Sequence, residues 1–273
     1  MSLLEVKGLS FTYPAGVKAL RNVNFKINKG EVLAIIGQNG SGKTTLVKHF
    51  NGLLKPTKGE VLINDETTKD KTTARLSRMV GYVFQNPDDQ IFNSTVFNEL
   101  AFGPKNLGLS KSEIKKRVKE VLKIIDLEGF ERKHPLDLGL DQKKLIAIAS
   151  ILAMKPEVVI LDEPTTGQDH KGVKKIESLI NDLSKDHTVI IISHNMELVA
   201  KVATRVIVMW NSELIFDGEP KKAFVKNSLL NKTYLKPPII TQLAQRVKGL
   251  KNDTLTIDEL INQLSKTRSS KPR

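Results

Sequence analysis

Short runs of apolar residues recur along the chain, separated by longer segments in which apolar and polar residues alternate at helical spacing. Three of these runs are VLAII (32–36), VVIL (158–161) and VIII (189–192), each bounded by polar residues or glycine. Uninterrupted apolar runs of this length are typical of strands buried on both faces of a parallel sheet. The pattern therefore predicts an α/β core.

One of the intervening helices is well marked. Ser110 and Glu113 have the spacing of a capping box, which begins a helix. After them, apolar residues recur on one helical face, with lysine and arginine on the other. These apolar residues are Ile114, Val118, Val121, Leu122 and Ile125. We expect the lysines of this helix to face solvent.

The sequence changes character at residues 221–238, where basic residues precede a pair of prolines. Because proline cannot continue a helix, we interpret this segment as a linker. Beyond it, Thr256 and Glu259 form a second capping box, which predicts a small helical module. The last residues, 265–273, have the composition of a disordered segment.

Composition narrows the class of protein. The chain has 273 residues, 40% hydrophobic and 27% charged, which is enough for one domain with an appendage. No segment approaches the roughly 20 consecutive apolar residues of a membrane-spanning helix, and the first residues lack the apolar run of a secretory signal. The absence of cysteine excludes disulfides and thiolate ligands. A role at a membrane therefore requires a partner.

The net charge of +13 is unevenly distributed. Residues 221–273 contain 12 Lys and Arg against 3 Asp and Glu, so +9 of the excess lies there. A basic segment is compatible with a solvated surface, with anionic lipid headgroups or with nucleic acid. Because aromatic residues are not interleaved with it, we favour the first two and expect no nucleic acid partner.

Residues 37–44, GQNGSGKT, match the pattern G-x-x-x-x-G-K-[ST] directly after the apolar run 32–36. In such a loop, backbone N–H groups point at phosphate oxygens and the next helix adds its positive N-terminal end. Lys43 supplies a cation, and the Thr44 hydroxyl can bind Mg²⁺. The predicted ATP-binding residues of this segment are Gly37, Gln38, Asn39, Gly40, Ser41, Gly42, Lys43, Thr44 and Thr45.

Two adjacent carboxylates, Asp162 and Glu163, follow the apolar run 158–161. Beside a phosphate-binding loop, such a pair divides the chemistry between a metal ligand and a base. Asp162 is predicted to hold Mg²⁺, directly or through water, and Glu163 to orient or deprotonate the attacking water. The alternative is an exposed acidic turn after a strand.

Together these motifs resemble those of ABC ATPases, from about residue 3 to residue 225. The resemblance implies the P-loop NTPase ABC fold over residues 1–225, an α/β fold with a RecA-like parallel-sheet core and an antiparallel β subdomain. A helical subdomain is expected at about 88–155, and a small C-terminal helical extension at 226–273.

Three further residues match ABC motifs. Tyr13 is similar to the aromatic residue that stacks on adenine. Gln85 is similar to the Q-loop glutamine that reaches Mg²⁺ and the γ-phosphate, and His194 to the switch histidine that contacts the γ-phosphate. The resemblance therefore implies a catalytic set of Glu163, His194, Gln85 and Lys43. It implies a metal-binding set of Thr44, Gln85 and Asp162.

Residues 84–92, FQNPDDQIF, are most similar to energy-coupling-factor ATPases, including those of cobalt and nickel importers. In that family an acidic patch after the Q-loop receives basic residues of the transmembrane subunit. Asp88 and Asp89 are the corresponding candidates, unless they are solvated loop acids. The resemblance implies a peripheral protein at the cytoplasmic face of the cell membrane. Its partners would be a transmembrane coupling subunit and a membrane-embedded substrate-binding subunit.

The family's signature motif, usually LSGGQ, is altered in this chain. The corresponding residues are Leu138, Gly139, Leu140, Asp141 and Gln142. Gly139 replaces a serine and Asp141 replaces a glycine, both of which face a γ-phosphate in the family. A carboxylate there repels the triphosphate by about 4 kcal/mol per unit-charge pair at ~4 Å and an effective dielectric of ~20, before screening. The D-loop keeps Asp169, although Gln168 replaces the usual leucine.

In ABC dimers each ATP lies between the Gly loop of one subunit and the signature of the other. A homodimer of this chain would therefore contain two altered sites. We hypothesise a heterodimer with a paralogous ATPase that carries a standard signature. Two alternatives are an altered signature that functions normally and a regulator without hydrolysis, the second disfavoured by the retained Glu163.

The predicted function is ATP hydrolysis that drives uptake of a vitamin or metal ion by an energy-coupling-factor transporter. Three rival interpretations are open at this point. They are the ATPase of another ABC transporter type, a soluble ABC protein acting on nucleic acid or ribosomes, and a P-loop protein that only binds nucleotide.

Overall fold

The computed structural model describes residues 2–269, which form two sheets and the helices around them. The strands are β1 (Ser2–Thr12), β2 (Lys18–Asn28), β3 (Val32–Ile36), β4 (Lys58–Ile63), β5 (Glu66–Thr67), β6 (Val80–Val83), β7 (Val158–Asp162), β8 (Thr188–Ile192), β9 (Arg205–Trp210) and β10 (Glu213–Gly218). The helices are α1 (Lys43–Lys48), α2 (Thr73–Leu76), α3 (Val96–Asn106), α4 (Lys111–Ile124), α5 (Leu140–Leu152), α6 (His170–Leu183), α7 (Met196–Val202), α8 (Pro220–Val225), α9 (Asn227–Thr233), α10 (Ile239–Ala244) and α11 (Ile257–Ser269).

The larger sheet has the strand order β10-β9-β3-β8-β7-β6. From β9 to β6 all neighbouring strands are parallel, and β10 is antiparallel to β9. The three apolar runs of the sequence form β3, β7 and β8, which are buried along their whole length. The predicted α/β core is therefore confirmed. Because the strands are parallel, the carboxyl ends of β3, β6, β7 and β8 meet at one edge of the sheet.

Both faces of this sheet are covered, which explains why its strands show no apolar–polar alternation. Along β3, Val32, Ala34 and Ile36 pack into the core on the helical side. Leu33 and Ile35 point to the opposite face and pack into a second core with residues of the smaller sheet. The smaller sheet is antiparallel, with the order β2-β1-β4-β5.

Every described element between β6 and β7 is helical, comprising α3, α4, α5 and two short 3₁₀ turns. The predicted capping box of α4 is present. The Ser110 hydroxyl accepts a hydrogen bond from the Glu113 amide at 3.3 Å, and the Glu113 carboxylate accepts one from the Ser110 amide at 3.1 Å. Val118, Val121 and Leu122 of the predicted apolar face are buried.

The segment interpreted as a linker differs from that prediction, because α8 and α9 lie within it. Phe224, Leu229 and Leu230 are buried in the same core cluster as the helical side of the large sheet. The proline pair stands immediately before α10, where Pro238 is the N-cap residue. Proline cannot continue a helix but is well suited to the start of one, and the buried apolar residues of this segment stabilise its helices.

The second capping box is only half formed. The Thr256 hydroxyl accepts a hydrogen bond from the Glu259 amide at 3.2 Å, but the Glu259 carboxylate accepts from the Leu255 amide at 2.7 Å. Helix α11 then continues to Ser269, so the described part of the segment expected to be disordered is helical. Residues 270–273 lie outside the described residues. Within residues 2–269, no helix is long and apolar enough to cross a membrane.

Candidate functional site

A cavity of about 520 Å³ opens at the carboxyl edge of the large sheet. Its volume lies within the range of roughly 300–1,000 Å³ found for small-molecule sites. Predicted site residues from five separate parts of the chain line it. They are Tyr13, Asn39, Gly40, Gly42, Lys43, Thr44, Thr45, Gln85, Asp162, Glu163 and His194. Gly37, Gln38 and Ser41 belong to the same loop but do not line the cavity.

The loop between β3 and α1 needs glycine at two positions. A Cβ on Gly37 would lie 2.2 Å from the Met209 carbonyl oxygen, and one on Gly42 would lie 2.4 Å from the Ala19 carbonyl oxygen. Gly42 also has a φ of 102°, in the left-handed region that favours glycine. The loop is therefore pressed against neighbouring backbone, which turns its other face to the cavity.

Lys43 is the first residue of α1, directly after this loop, and is buried. Its Nζ donates hydrogen bonds to the carbonyl oxygens of Gly37 at 2.7 Å and Gln38 at 2.8 Å. Burial lowers the pKa of Lys43, and the nearby Glu163 and Asp162 carboxylates oppose that effect. The loop carbonyls thus hold the ammonium group of Lys43 in the lining of the cavity, where we predict that it binds phosphate.

Asp162 ends β7 and is fixed by two hydroxyl groups. Its Oδ2 accepts hydrogen bonds from Thr44 Oγ1 at 3.1 Å and from the Tyr82 hydroxyl at 2.6 Å. Thr44 and Asp162 thus place two hard oxygen donors together, as Mg²⁺ requires, and Gln85 lines the same cavity. The predicted metal-binding residues therefore have the oxygen donors that a Mg²⁺ ion needs.

Tyr82 on β6 was missed by the sequence reasoning. It stands three residues before Gln85 in a strand-like run, and nothing local distinguishes it from a core residue. Burial raises the pKa of its hydroxyl, and the Asp162 carboxylate raises it further. Tyr82 therefore stays protonated and acts as a hydrogen-bond donor that orients Asp162.

Glu163 adopts an unusual backbone conformation, with a φ of +47°. Such a conformation costs about 1–3 kcal/mol in a residue other than glycine and persists only where its surroundings enforce it. The Glu163 amide donates to the Ile192 carbonyl at 2.9 Å, and Oε2 accepts from the His194 amide at 3.2 Å. Oε1 is buried and has no hydrogen-bond partner among the described residues. This carboxylate oxygen is therefore free to accept a hydrogen bond from a ligand.

Burial raises the pKa of Glu163, partly offset by the His194 amide and by Lys43. The His194 Nε2 atom lies 3.2 Å from Glu163 Oε1. Burial lowers the pKa of His194, as does the charge of Lys43. The lowered pKa favours the neutral imidazole near pH 7, so His194 lies beside Glu163 without forming an ion pair with it.

Tyr13 stands at the other end of the cavity. Its hydroxyl forms a hydrogen bond with Thr45 Oγ1 at 3.0 Å. Its ring packs edge-to-face against Phe11, with the ring centroids 4.8 Å apart. The ring is thus fixed in the wall of the cavity, and its stacking on adenine stays a prediction.

The signature segment 138–142 lies apart from this cavity. Gly139 is the N-cap residue of α5 without a side-chain hydrogen bond, and Leu140 and Asp141 are exposed. Asp169 caps α6 instead, accepting a hydrogen bond from the Gly172 amide at 2.7 Å. Both motifs are thus located on the surface, where a second chain can reach them.

Asp88 and Asp89 lie in a short 3₁₀ turn after Gln85. Asp88 pairs with Lys143 of α5 at 3.0 Å, whereas Asp89 borders a groove of about 480 Å³. Phe92 and Phe102 also line this groove and are 64% and 45% exposed. The surface beside Gln85 therefore combines exposed aromatic rings with an acidic edge.

Comparisons with known proteins agree with this geometry. Residues 20–166 match the family model described as ABC transporter. The energy-coupling factor transporter ATP-binding protein EcfA of Methanocaldococcus jannaschii is 48% identical over 261 residues, covering 94% of this chain and 93% of that protein.

Solved structures of similar fold include two relevant cases. One is cbiO1 from Clostridium perfringens, part of the ABC transporter complex cbiONQ, with 38% identity and a TM-score of 0.77 over 89% of this chain and 98% of that one. The second is the ATP-binding cassette MJ0796 in a dimeric post-hydrolysis state with ADP and Pi, with 32% identity and a TM-score of 0.71. That comparison covers 80% of this chain and 98% of the other.

Proposed function

This chain belongs to the ABC transporter family of ATP-binding subunits, and we propose that it drives the uptake of a vitamin or metal ion through an energy-coupling-factor transporter. The chain is an ATPase that binds ATP with Mg²⁺ and is of the energy-coupling-factor type. One observation carries the proposal: a single cavity brings together the phosphate-binding loop, the carboxylate pair and His194.

The loop residues bind and neutralise the triphosphate. In our proposal the backbone N–H groups of residues 37–44 face the phosphates, and Lys43 exchanges its carbonyl partners for phosphate oxygens. Thr44, Asp162 and Gln85 would hold Mg²⁺. When bound, the metal neutralises charge on the β- and γ-phosphate oxygens. Tyr13 stacks on the adenine, which needs only a flat π-face.

Glu163 acts on the attacking water. Its buried Oε1 has no hydrogen-bond partner in the described structure, so it can accept one from a water molecule. The raised pKa brings this carboxylate nearer to the operating pH, which suits a general base. His194, held within 3.2 Å of the same oxygen, contacts the γ-phosphate in this arrangement. Catalysis then depends mostly on position and electrostatics.

The groove beside Gln85 is the surface that we assign to the transmembrane partner. Its aromatic residues Phe92 and Phe102 meet edge-to-face at 4.8 Å and remain exposed. Asp89 also lines it, so a cytoplasmic helix with apolar and basic residues is complementary. Lys143 already pairs with Asp88, which leaves Asp89 as the more available acid. We expect the chain to be held at the cytoplasmic face of the membrane by this contact.

The altered signature leads us to propose a heterodimer. Asp141 is exposed in the first turn of α5, where it would face the nucleotide of the opposing subunit. The standard signature of a paralogous ATPase would complete the nucleotide site that the cavity of this chain begins. The C-terminal helices offer a further contact surface, because Ile239, Leu243, Ile257 and Ile261 are exposed apolar residues.

The first experiment is the Glu163→Gln variant in the complex isolated from membranes. We expect ATP hydrolysis to fall by about 10²- to 10⁴-fold because the proton acceptor is lost. ATP should still bind with similar affinity. Glu157→Gln is the matched control, since Glu157 is an exposed carboxylate before the other end of β7. Unchanged hydrolysis in Glu163→Gln would exclude Glu163 as the base. A complex that binds ATP but hydrolyses none even with Glu163 in place would show a protein that only binds nucleotide.

Purification from membranes with identification of every bound chain tests the assembly. We expect a transmembrane protein, a second ATPase and a small membrane-embedded protein. Recovery of two copies of this chain with the transmembrane protein, and of no second ATPase, would contradict the proposed heterodimer but not the transport function. Recovery with nucleic acid and no membrane protein would contradict the transport function.

A further inference from the structure

Lys144 is a buried lysine in α5, two residues after the signature segment. Only 6% of its surface is exposed. Its Nζ donates hydrogen bonds to the carbonyl oxygens of Glu163 at 3.3 Å, Pro164 at 3.3 Å and Thr166 at 2.6 Å. Three acceptors use all three N–H donors of an ammonium group, so a buried cation is tolerated there.

These three carbonyls belong to the loop that follows β7 and contains Glu163. The Glu163 backbone is in the left-handed region, which its surroundings must enforce. Two of its contacts come from the end of β8, through the Ile192 carbonyl and the His194 amide. Lys144 supplies a further contact, from α5. Its ammonium group links three carbonyl oxygens of this loop to that helix.

Lys144 does not line the nucleotide cavity, so it has no direct part in binding ATP in this subunit. It does belong to the helix whose N-terminal residues form the signature segment. The neighbouring Lys143 pairs with Asp88, on the segment after Gln85. Two successive residues of α5 therefore contact the Glu163 loop and the segment assigned to the membrane partner.

We propose that Lys144 is a positioning residue that fixes the Glu163 loop to helix α5. Through it, the helix that carries the signature segment also sets the position of this subunit's own Glu163. A shift of α5, caused by nucleotide or by the membrane partner, would then move the base relative to the attacking water. The inference rests on the proposed role of Glu163.

The test compares the Lys144→Met and Lys144→Arg variants in the complex isolated from membranes. We expect Lys144→Met to lower kcat by about 10- to 100-fold because a shift of the base by ~1 Å has this effect. The KM for ATP should change by less than about threefold, since binding residues are untouched. Lys144→Arg keeps the charge and the N–H donors and should restore most of the kcat.

Lys201→Met is the matched control. It removes the same charge from a lysine that pairs with Glu177 on the surface, at 2.8 Å, and its kcat should be unchanged. A Lys144→Met variant that raises KM without lowering kcat would overturn the proposal. The same holds if Lys144→Arg is no better than Lys144→Met.

A double-mutant cycle with Glu163→Gln separates positioning from general stability. If Lys144 acts through Glu163, the Lys144→Met/Glu163→Gln double variant should hydrolyse ATP within about threefold of Glu163→Gln alone. A further tenfold loss in the double variant would overturn the inference while leaving Glu163 as the base. Unchanged hydrolysis in Glu163→Gln itself would instead overturn the proposed function. If Lys144→Met does not fold, Lys144→Gln, which keeps two N–H donors without the charge, replaces it in the cycle.

Discussion

The phosphate-binding loop at 37–44 and the signature segment at 138–142 serve the same kind of site in this family, but they differ in how this chain holds them. The loop is pressed against backbone, and Lys43 is buried with its ammonium bound to two carbonyl oxygens. In the signature segment, Asp141 is exposed and its side chain forms no hydrogen bond or ion pair with any residue in the described part of the chain.

This difference shows which half of the site is complete within one chain. Residues of the loop and the carboxylate pair contribute to the stability of the fold as well as to the nucleotide site, so substituting them affects both stability and binding. The two altered signature residues, Gly139 and Asp141, are exposed and contribute little to the fold of the isolated subunit. Their identity can therefore change the function of an assembled dimer without changing the structure of either subunit. The following predictions test this contrast, beginning with the largest effect.

The Gly42→Ala variant tests whether the loop tolerates a side chain. We expect ATP affinity to fall at least about 100-fold, because the added Cβ would displace the loop from the Ala19 carbonyl oxygen. Isothermal titration calorimetry measures the affinity. Gly30→Ala is the control: its φ of +80° is similarly strained but a Cβ there meets nothing within 4 Å. Equal ATP affinity in Gly42→Ala and Gly30→Ala would show that the close backbone contact of the loop is not needed for binding, which contradicts the contrast drawn with the signature segment.

Restoring the signature tests the other region. The Gly139→Ser/Asp141→Gly variant should raise the ATPase rate of the purified chain by about 10- to 100-fold as a homodimer, because one repulsive charge per site is removed. Thermal stability should stay nearly constant, since these residues are exposed. Asp137→Asn removes a nearby exposed charge outside the signature and should have no such effect. A wild-type homodimer that already hydrolyses ATP rapidly would contradict the heterodimer hypothesis.

Removing the Tyr82 hydroxyl tests how tightly Asp162 must be held. In Tyr82→Phe we expect the Mg²⁺ concentration for half-maximal ATPase activity to rise about tenfold, since an orienting partner of a metal ligand is lost. A magnesium titration of the ATPase rate measures this change. Tyr234→Phe removes a hydroxyl from a side chain that is 74% exposed and serves as the control. No shift in Tyr82→Phe would show that Thr44 alone orients Asp162.

The smallest expected effect concerns stability and pH. Burial raises the folded-state pKa of Glu163 above its ordinary value of 4.5, so ionising it weakens the fold. Below that value the carboxyl is protonated in both states and costs nothing. The penalty grows as the pH rises from 4.5 to the folded-state pKa and is constant above it. Glu163→Gln should therefore raise Tm at pH 7 by about 2–4 °C for each kcal/mol of the ionisation penalty that it removes. This gain in Tm should vanish near pH 4.5. A gain that is independent of pH would contradict this origin.

Much of the core could be predicted from local patterns. Strand β3 spans the run 32–36, and α4 begins directly after its capping residue Ser110. Apolar runs and caps depend on neighbours a few residues away, so the sequence displays them directly. The segment 221–238 was misinterpreted because its charge and prolines are visible in the sequence, whereas the burial of Phe224 depends on a distant surface.

The candidate residues for phosphate, metal and proton transfer could be predicted from the sequence alone, because each motif is a short run with its own chemistry. How these groups are held could be seen only in the folded chain. The Tyr82 hydroxyl reaches Asp162 across 80 residues of sequence, and Lys144 reaches the Glu163 carbonyl across 19. Such contacts follow from the order of strands and the packing of helices, and strand order is not a property of any local segment.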